Sequence, residues 1–124
     1  ALFYQLSSHT MLTNPSSSGS VGVLTIDDHP VFRQGIRHML QEEDGITPLE
    51  ESSSVDSAIR WLRMHRADVA LLDHNLIGVN GVDAIPHLLE AQADLQIIML
   101  IVCDDSQVFM QAIRFGAYGY MLKD

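Results

Sequence analysis

Two runs of this chain, DVALLD at residues 68–73 and LQIIMLIV at 95–102, are apolar almost without interruption. A strand with one face in water alternates apolar and polar side chains, so unbroken apolarity marks a strand covered on both faces. Such strands belong to parallel sheets, whose neighbours are joined by crossovers that are usually helical. VGVLTI at 21–26 is a third apolar strand, ITPLEE at 46–51 a weaker one limited by Pro48, and YGYML at 118–122 the last. Between them, apolar residues recur at the three- and four-residue spacing of a helix face. Val31, Phe32, Ile36, Met39 and Leu40 follow Pro30, and Val55, Ala58, Ile59, Leu62 and Met64 follow a cap at Ser53 or Ser54. Val82, Ile85, Leu88 and Leu89 follow Gly81, with Pro86 expected to kink that helix or end it early. DDSQVFMQAIRFGA, from residue 104, is expected to be the fourth helix, capped by Asp104 or Asp105. Strands and helices in this order predict an α/β fold with a doubly wound, five-stranded parallel sheet.

In such a sheet the ligand site lies at the carboxyl ends of the strands. Asp27 and Asp28 end the first strand and Asp73 the third, Cys103 and Asp104 follow the fourth, and Lys123 ends the fifth. Taken alone, Asp27 and Asp28 also suit helix capping, and Asp104 and Asp105 are read as a cap and helix-dipole partner. Carboxylates gathered at one edge repel unless a cation neutralises them, and hard oxygen donors suit Mg²⁺. Mg²⁺ keeps several waters and is commonly shared between one or two carboxylates and phosphate oxygens, so an acidic edge with one lysine fits phosphoryl chemistry. Asp73 is the candidate nucleophile, able to hold a phosphoryl group as an acyl phosphate, with Lys123 offsetting charge on the transferred oxygens. The histidines, among them His29 and His74, show no clear ligand pair and are read as solvated.

Lys and Arg number 7 against 16 Asp and Glu, a formal charge of −9 that argues against this segment gripping a nucleic-acid backbone by itself. Any DNA contact needs a domain outside this chain. A single cysteine can form no internal disulfide and no zinc cluster, which fits a reducing, cytoplasmic setting. No apolar run approaches the roughly 18 residues of a membrane span, and no secretory signal is evident at the amino terminus. Residues 1–20, rich in Ser and Thr, are expected to be a flexible tail, with Met11 a candidate start, although Leu2 to Leu6 could dock on the domain.

IDDHP, DVALLDHNLIGVNG and GAYGYMLKD, in this order and spacing, resemble the receiver domain of bacterial response regulators, over about residues 21–124. The resemblance is strongest to the NarL/FixJ-like type that usually carries a LuxR-type helix-turn-helix. It implies a flavodoxin-like strand order 2-1-3-4-5 and a phosphoryl group received from a sensor histidine kinase. It further implies that Asp73 is the phosphoacceptor and Asp28 a direct Mg²⁺ ligand. Asp27 would hold the ion through water, Asn75 would contribute its backbone carbonyl, Lys123 would contact the phosphoryl group, and Tyr120 would be the aromatic that changes rotamer on activation.

Two positions depart from the family pattern. Ile101 stands where a Thr or Ser usually binds the phosphoryl group, and Ile77 stands where a Pro usually follows the acceptor by four residues, which is expected to loosen or redirect that loop. A receiver that works without phosphorylation is therefore an alternative reading. An aspartate-nucleophile phosphohydrolase is another, but it needs a second acid two residues after the nucleophile, where Asn75 stands. The family usually continues into a fifth helix beside the first, and this sequence stops at Asp124. A bare apolar face is expected there, covered by residues 1–12, by a second copy or by another partner chain.

Overall fold

The computed structural model describes residues 19–101 and 106–123. Strand β1 (Val21–Ile26) leads into helix α1 (Pro30–Gln41), then β2 (Ile46–Ser52), α2 (Val55–Leu62) and β3 (Val69–Asp73). A short hairpin of β4 (Asn75–Leu76) and β5 (Val79–Asn80) precedes α3 (Gly81–Ala91), β6 (Gln96–Ile101), α4 (Ser106–Arg114) and β7 (Gly119–Leu122). The five long strands form one parallel sheet in the order β2-β1-β3-β6-β7. Leaving out the hairpin, this is the expected order 2-1-3-4-5.

Alternate residues of each central strand point to opposite faces. Leu24, Ile26, Ala70, Leu72, Ile97 and Met99 join apolar residues of α2, α3 and α4 in one cluster. Val21, Val23, Val69, Leu71, Ile98, Leu100 and Met121 form a second cluster with Ile36 and Leu40 of α1. Each fully buried aliphatic side chain contributes about 1.5–3 kcal/mol, which makes these two clusters the main hold on the strand ends. On the α1 side, where a bare face was expected, Leu71, Ile98, Leu100 and Met121 are each at most 3% exposed. Residues 1–12, one of the covers expected for it, lie outside the described residues, as do Val102, Cys103, Asp104 and Asp105.

Two prolines behave differently from expectation. Pro48 does not limit β2, which continues to Ser52 with a register shift opposite Val23 and Leu24 that leaves Leu49 as the extra residue. β2 is an edge strand, where a missing N–H is tolerated, and the bulge takes up the irregularity. Nor does Pro86 end α3, which runs on to Ala91. Pro86 is exposed while Val82, Ala84, Ile85 and Leu88 are buried, so packing of the apolar face holds the helix through the bond that proline cannot donate. Of the two candidate caps for α2, Ser54 takes the role, accepting from the Ser57 N–H at 3.1 Å.

Candidate functional site

The carboxyl ends of β1, β3 and β7 meet at one edge. Beyond β1 the backbone stays tied to the sheet, because the Asp27 N–H donates to the Ser52 carbonyl at 3.0 Å. Asp27 is fully buried, and its Oδ1 accepts from the His29 N–H at 2.8 Å. That bond fixes the turn into α1, and Pro30 supplies the first helical residue. Asp27 therefore shapes the turn and faces the site at once without capping α1, whose N-cap residue is His29 and whose first turn receives no side-chain cap bond.

Asp73, also fully buried, ends β3 in register with Leu100 of β6. Its Oδ1 accepts from the Asn75 N–H at 3.1 Å, while its Oδ2 lies 3.1 Å from Lys123 Nζ. Lys123, the only lysine of the chain, is held at the end of β7 by its N–H bond to the Ile101 carbonyl at 2.7 Å. The ammonium lies 2.8 Å from Asp27 Oδ2 and 4.5 Å from the centre of the Phe32 ring, so one cation bridges two buried carboxylates. Apart from that ion pair, Asp27 Oδ2 has no hydrogen-bond partner, and neither has Asp28 Oδ1.

His29 was expected to be solvated and is instead drawn into the cluster, although its side chain is 56% exposed. Its Nδ1 lies 2.8 Å from Asp27 Oδ1, 3.2 Å from Asp28 Oδ1 and 3.3 Å from Asp73 Oδ2. Its place directly after the paired acids was the available signal. One ligand atom from each of Asp27, Asp28, His29 and Asp73 falls within 4.8 Å of all the others. The donor set is dominated by hard oxygens and includes two buried oxygens without hydrogen-bond partners, which fits a divalent cation such as Mg²⁺.

The loop after Asp73 is the β4–β5 hairpin, in which Asn75 pairs with Asn80 and Leu76 with Val79. Gly78 takes φ +76°, the left-handed conformation that a two-residue turn needs at this point. The Ile77 N–H donates to Asp28 Oδ2 at 2.6 Å, which ties the hairpin to the end of β1. The Asn80 side chain caps α3 through the Val82 N–H at 2.9 Å. Gly81, the first residue of α3, packs so closely that a Cβ there would lie 2.5 Å from the Asp73 carbonyl oxygen and 2.9 Å from His74 Cα. Backbone cannot yield as a flexible side chain does. Gly81→Ala is therefore expected to cost about 1–3 kcal/mol, read as a lower urea midpoint; an unchanged midpoint would show that the end of β3 has slack.

The remaining candidates lie behind the carboxylates. Ile101 is 2% exposed in the cluster shared with α2, α3 and α4, and the half-buried Tyr120 packs against the same cluster. The Tyr120 ring is tilted against Phe109 at a centroid distance of 4.5 Å, a contact not foreseen from the sequence.

Residues 23–124 match the family of response regulator receiver domains. The response regulator UvrY of Escherichia coli (strain K12) is 35% identical over 103 residues, covering 83% of this chain and 47% of that protein. The response regulator GacA of Pseudomonas viridiflava is 31% identical over 103 residues, with 83% and 48% covered. This chain thus spans about half the length of these relatives. Among solved structures, a LuxR-family two-component response regulator from Aurantimonas sp. SI85-9A1 aligns with a TM-score of 0.79 at 26% identity, over 85% of this chain and 75% of that one. The signal receiver domain of the putative response regulator NarL from Mycobacterium tuberculosis gives 0.77 at 28% identity, over 85% of each chain. With the family match extending from β1 to the last residue, and the same fold in these neighbours, the chain belongs to the response regulator receiver domain family.

Proposed function

We propose that residues 21–124 form a phosphorylatable receiver domain in a longer, cytoplasmic transcription regulator, with residues 1–20 as a tail. Asp73 accepts the phosphoryl group of a sensor histidine kinase, and DNA is bound through an output domain outside this chain. The observation that carries this reading is the convergence of two buried carboxylates, Asp27 and Asp73, on the Lys123 ammonium.

Asp28, Asp73 and the backbone carbonyl of Asn75 would hold Mg²⁺, with Asp27 acting through water; the ion would supply positive charge to offset that of the phosphoryl oxygens. A carboxylate oxygen of Asp73 forms the new bond to phosphorus as the bond from phosphorus to the kinase imidazole breaks, leaving an acyl phosphate on the chain. Lys123 then transfers its contact from Asp73 Oδ2 to a phosphoryl oxygen, while its 2.8 Å contact with Asp27 keeps the ammonium in place. Water later hydrolyses the acyl phosphate, so the chemistry begins and ends on Asp73 with no separate substrate turned over. His29, 56% exposed, would either add a nitrogen ligand to such an ion or turn out to solvent.

Incubation with acetyl phosphate and Mg²⁺ is expected to add the mass of one phosphoryl group to the intact chain, and a chelator should prevent the addition. No gain in mass over a wide range of donor concentrations would overturn the reading. Steady release of phosphate from an unrelated phosphomonoester would point to hydrolase chemistry instead.

A further inference from the structure

Asp28 has two oxygens in different situations. Its Oδ2 accepts from the Ile77 N–H at 2.6 Å, whereas its Oδ1 has no hydrogen-bond partner and faces the cluster, 3.2 Å from His29 Nδ1. Ile77 occupies the tip of the hairpin, its side chain is 88% exposed, and its N–H plays no part in the Asn75–Asn80 and Leu76–Val79 pairing. The usual proline of the family could not make this bond, because proline has no N–H. The departure at Ile77 thus gives the loop a donor, and the donor is spent on a candidate metal ligand.

We propose that the Ile77 backbone N–H is a positioning donor, holding Asp28 so that Oδ1 is presented to the divalent cation. The inference rests on the receiver reading above and adds a residue to it. A carboxylate that binds metal through one oxygen is commonly oriented by a hydrogen bond to the other, and loss of such a partner typically weakens metal binding tenfold to a hundredfold. The bond also links the hairpin after the acceptor to the end of β1, so an ion on Asp28 steadies both segments.

The test compares Mg²⁺ affinity by calorimetry in the wild type, Ile77→Ala and Ile77→Pro. Ile77→Ala keeps the N–H and removes only an exposed side chain, so its affinity should match the wild type. Ile77→Pro suits the second position of a turn whose third residue has positive φ, and the strand conformation of Leu76 tolerates a following proline, so this variant should fold. Its affinity should fall about tenfold or more. In the metal-free protein, Asp28→Asn weakens the acceptor and should move the Ile77 amide proton resonance upfield. Equal Mg²⁺ affinity in all three proteins, or an Ile77 amide unmoved by Asp28→Asn, overturns the proposal and leaves the receiver reading standing. A wild type that binds no Mg²⁺ overturns both.

Discussion

Asp73→Asn is expected to end phosphoryl uptake completely and to make the folded chain more stable. The first effect follows from chemistry: an amide oxygen is too weak a nucleophile to replace the carboxylate. The second follows from charge. Asp27, Asp28 and Asp73 present three carboxylates with side chains only 0%, 10% and 1% exposed, and Lys123 is the one ammonium among them. Ligand atoms of the three acids lie within 4.8 Å of one another, where a like-charge pair costs about 3.5 kcal/mol at an effective dielectric of about 20. Attraction to Lys123 offsets part of this. Asparagine keeps an oxygen to accept the Asn75 N–H and frees the ammonium for Asp27, so the variant should gain roughly 1–2 kcal/mol, the usual direction when a functional site is neutralised. The readings are intact mass after acetyl phosphate treatment and the urea midpoint at unchanged slope. A modified variant would mean that Asp73 is not the acceptor, and a less stable one that Asp73 is not a source of strain.

The acidic edge of the site can be read from sequence. Asp27, Asp28, Asp73 and Lys123 were legible because strand ends can be found from hydrophobic period, and a parallel sheet sends the carboxyl ends of its strands to one edge. Only residue type and position were needed. Pro48 and Pro86 misled because local preference was overruled by context, an edge position in one case and a buried helix face in the other. The part played by Ile77 was illegible for a different reason. Its side chain is exposed and inert, and the working group is a backbone N–H whose direction depends on the turn at Gly78. His29 lay between these cases, since its place beside two acids was visible but its rotamer was not.

Ile101→Thr is expected to weaken the resting protein and strengthen its response. In the resting state Ile101 is 2% exposed in an apolar cluster against which the partly buried Tyr120 packs. A hydroxyl placed there without a partner costs roughly 1–3 kcal/mol, so the variant should unfold at lower urea. In the phosphoryl-bound state, the family resemblance gives that hydroxyl an anionic acceptor, and a hydrogen bond to a charged group contributes about 1.5–3 kcal/mol. Moving a two-state equilibrium from 1:99 to 99:1 takes about 5.5 kcal/mol, so the added hydroxyl would supply up to about half of that drive. Beryllofluoride with Mg²⁺ should therefore raise Tm more in Ile101→Thr than in the wild type. Ile101→Val keeps the branched shape, costs about 0.5–1.5 kcal/mol at rest and offers no hydroxyl, so its response should stay at the wild-type level. If all three proteins shift equally, the buried isoleucine does not limit the coupling, and the signal leaves Asp73 by a route independent of β6.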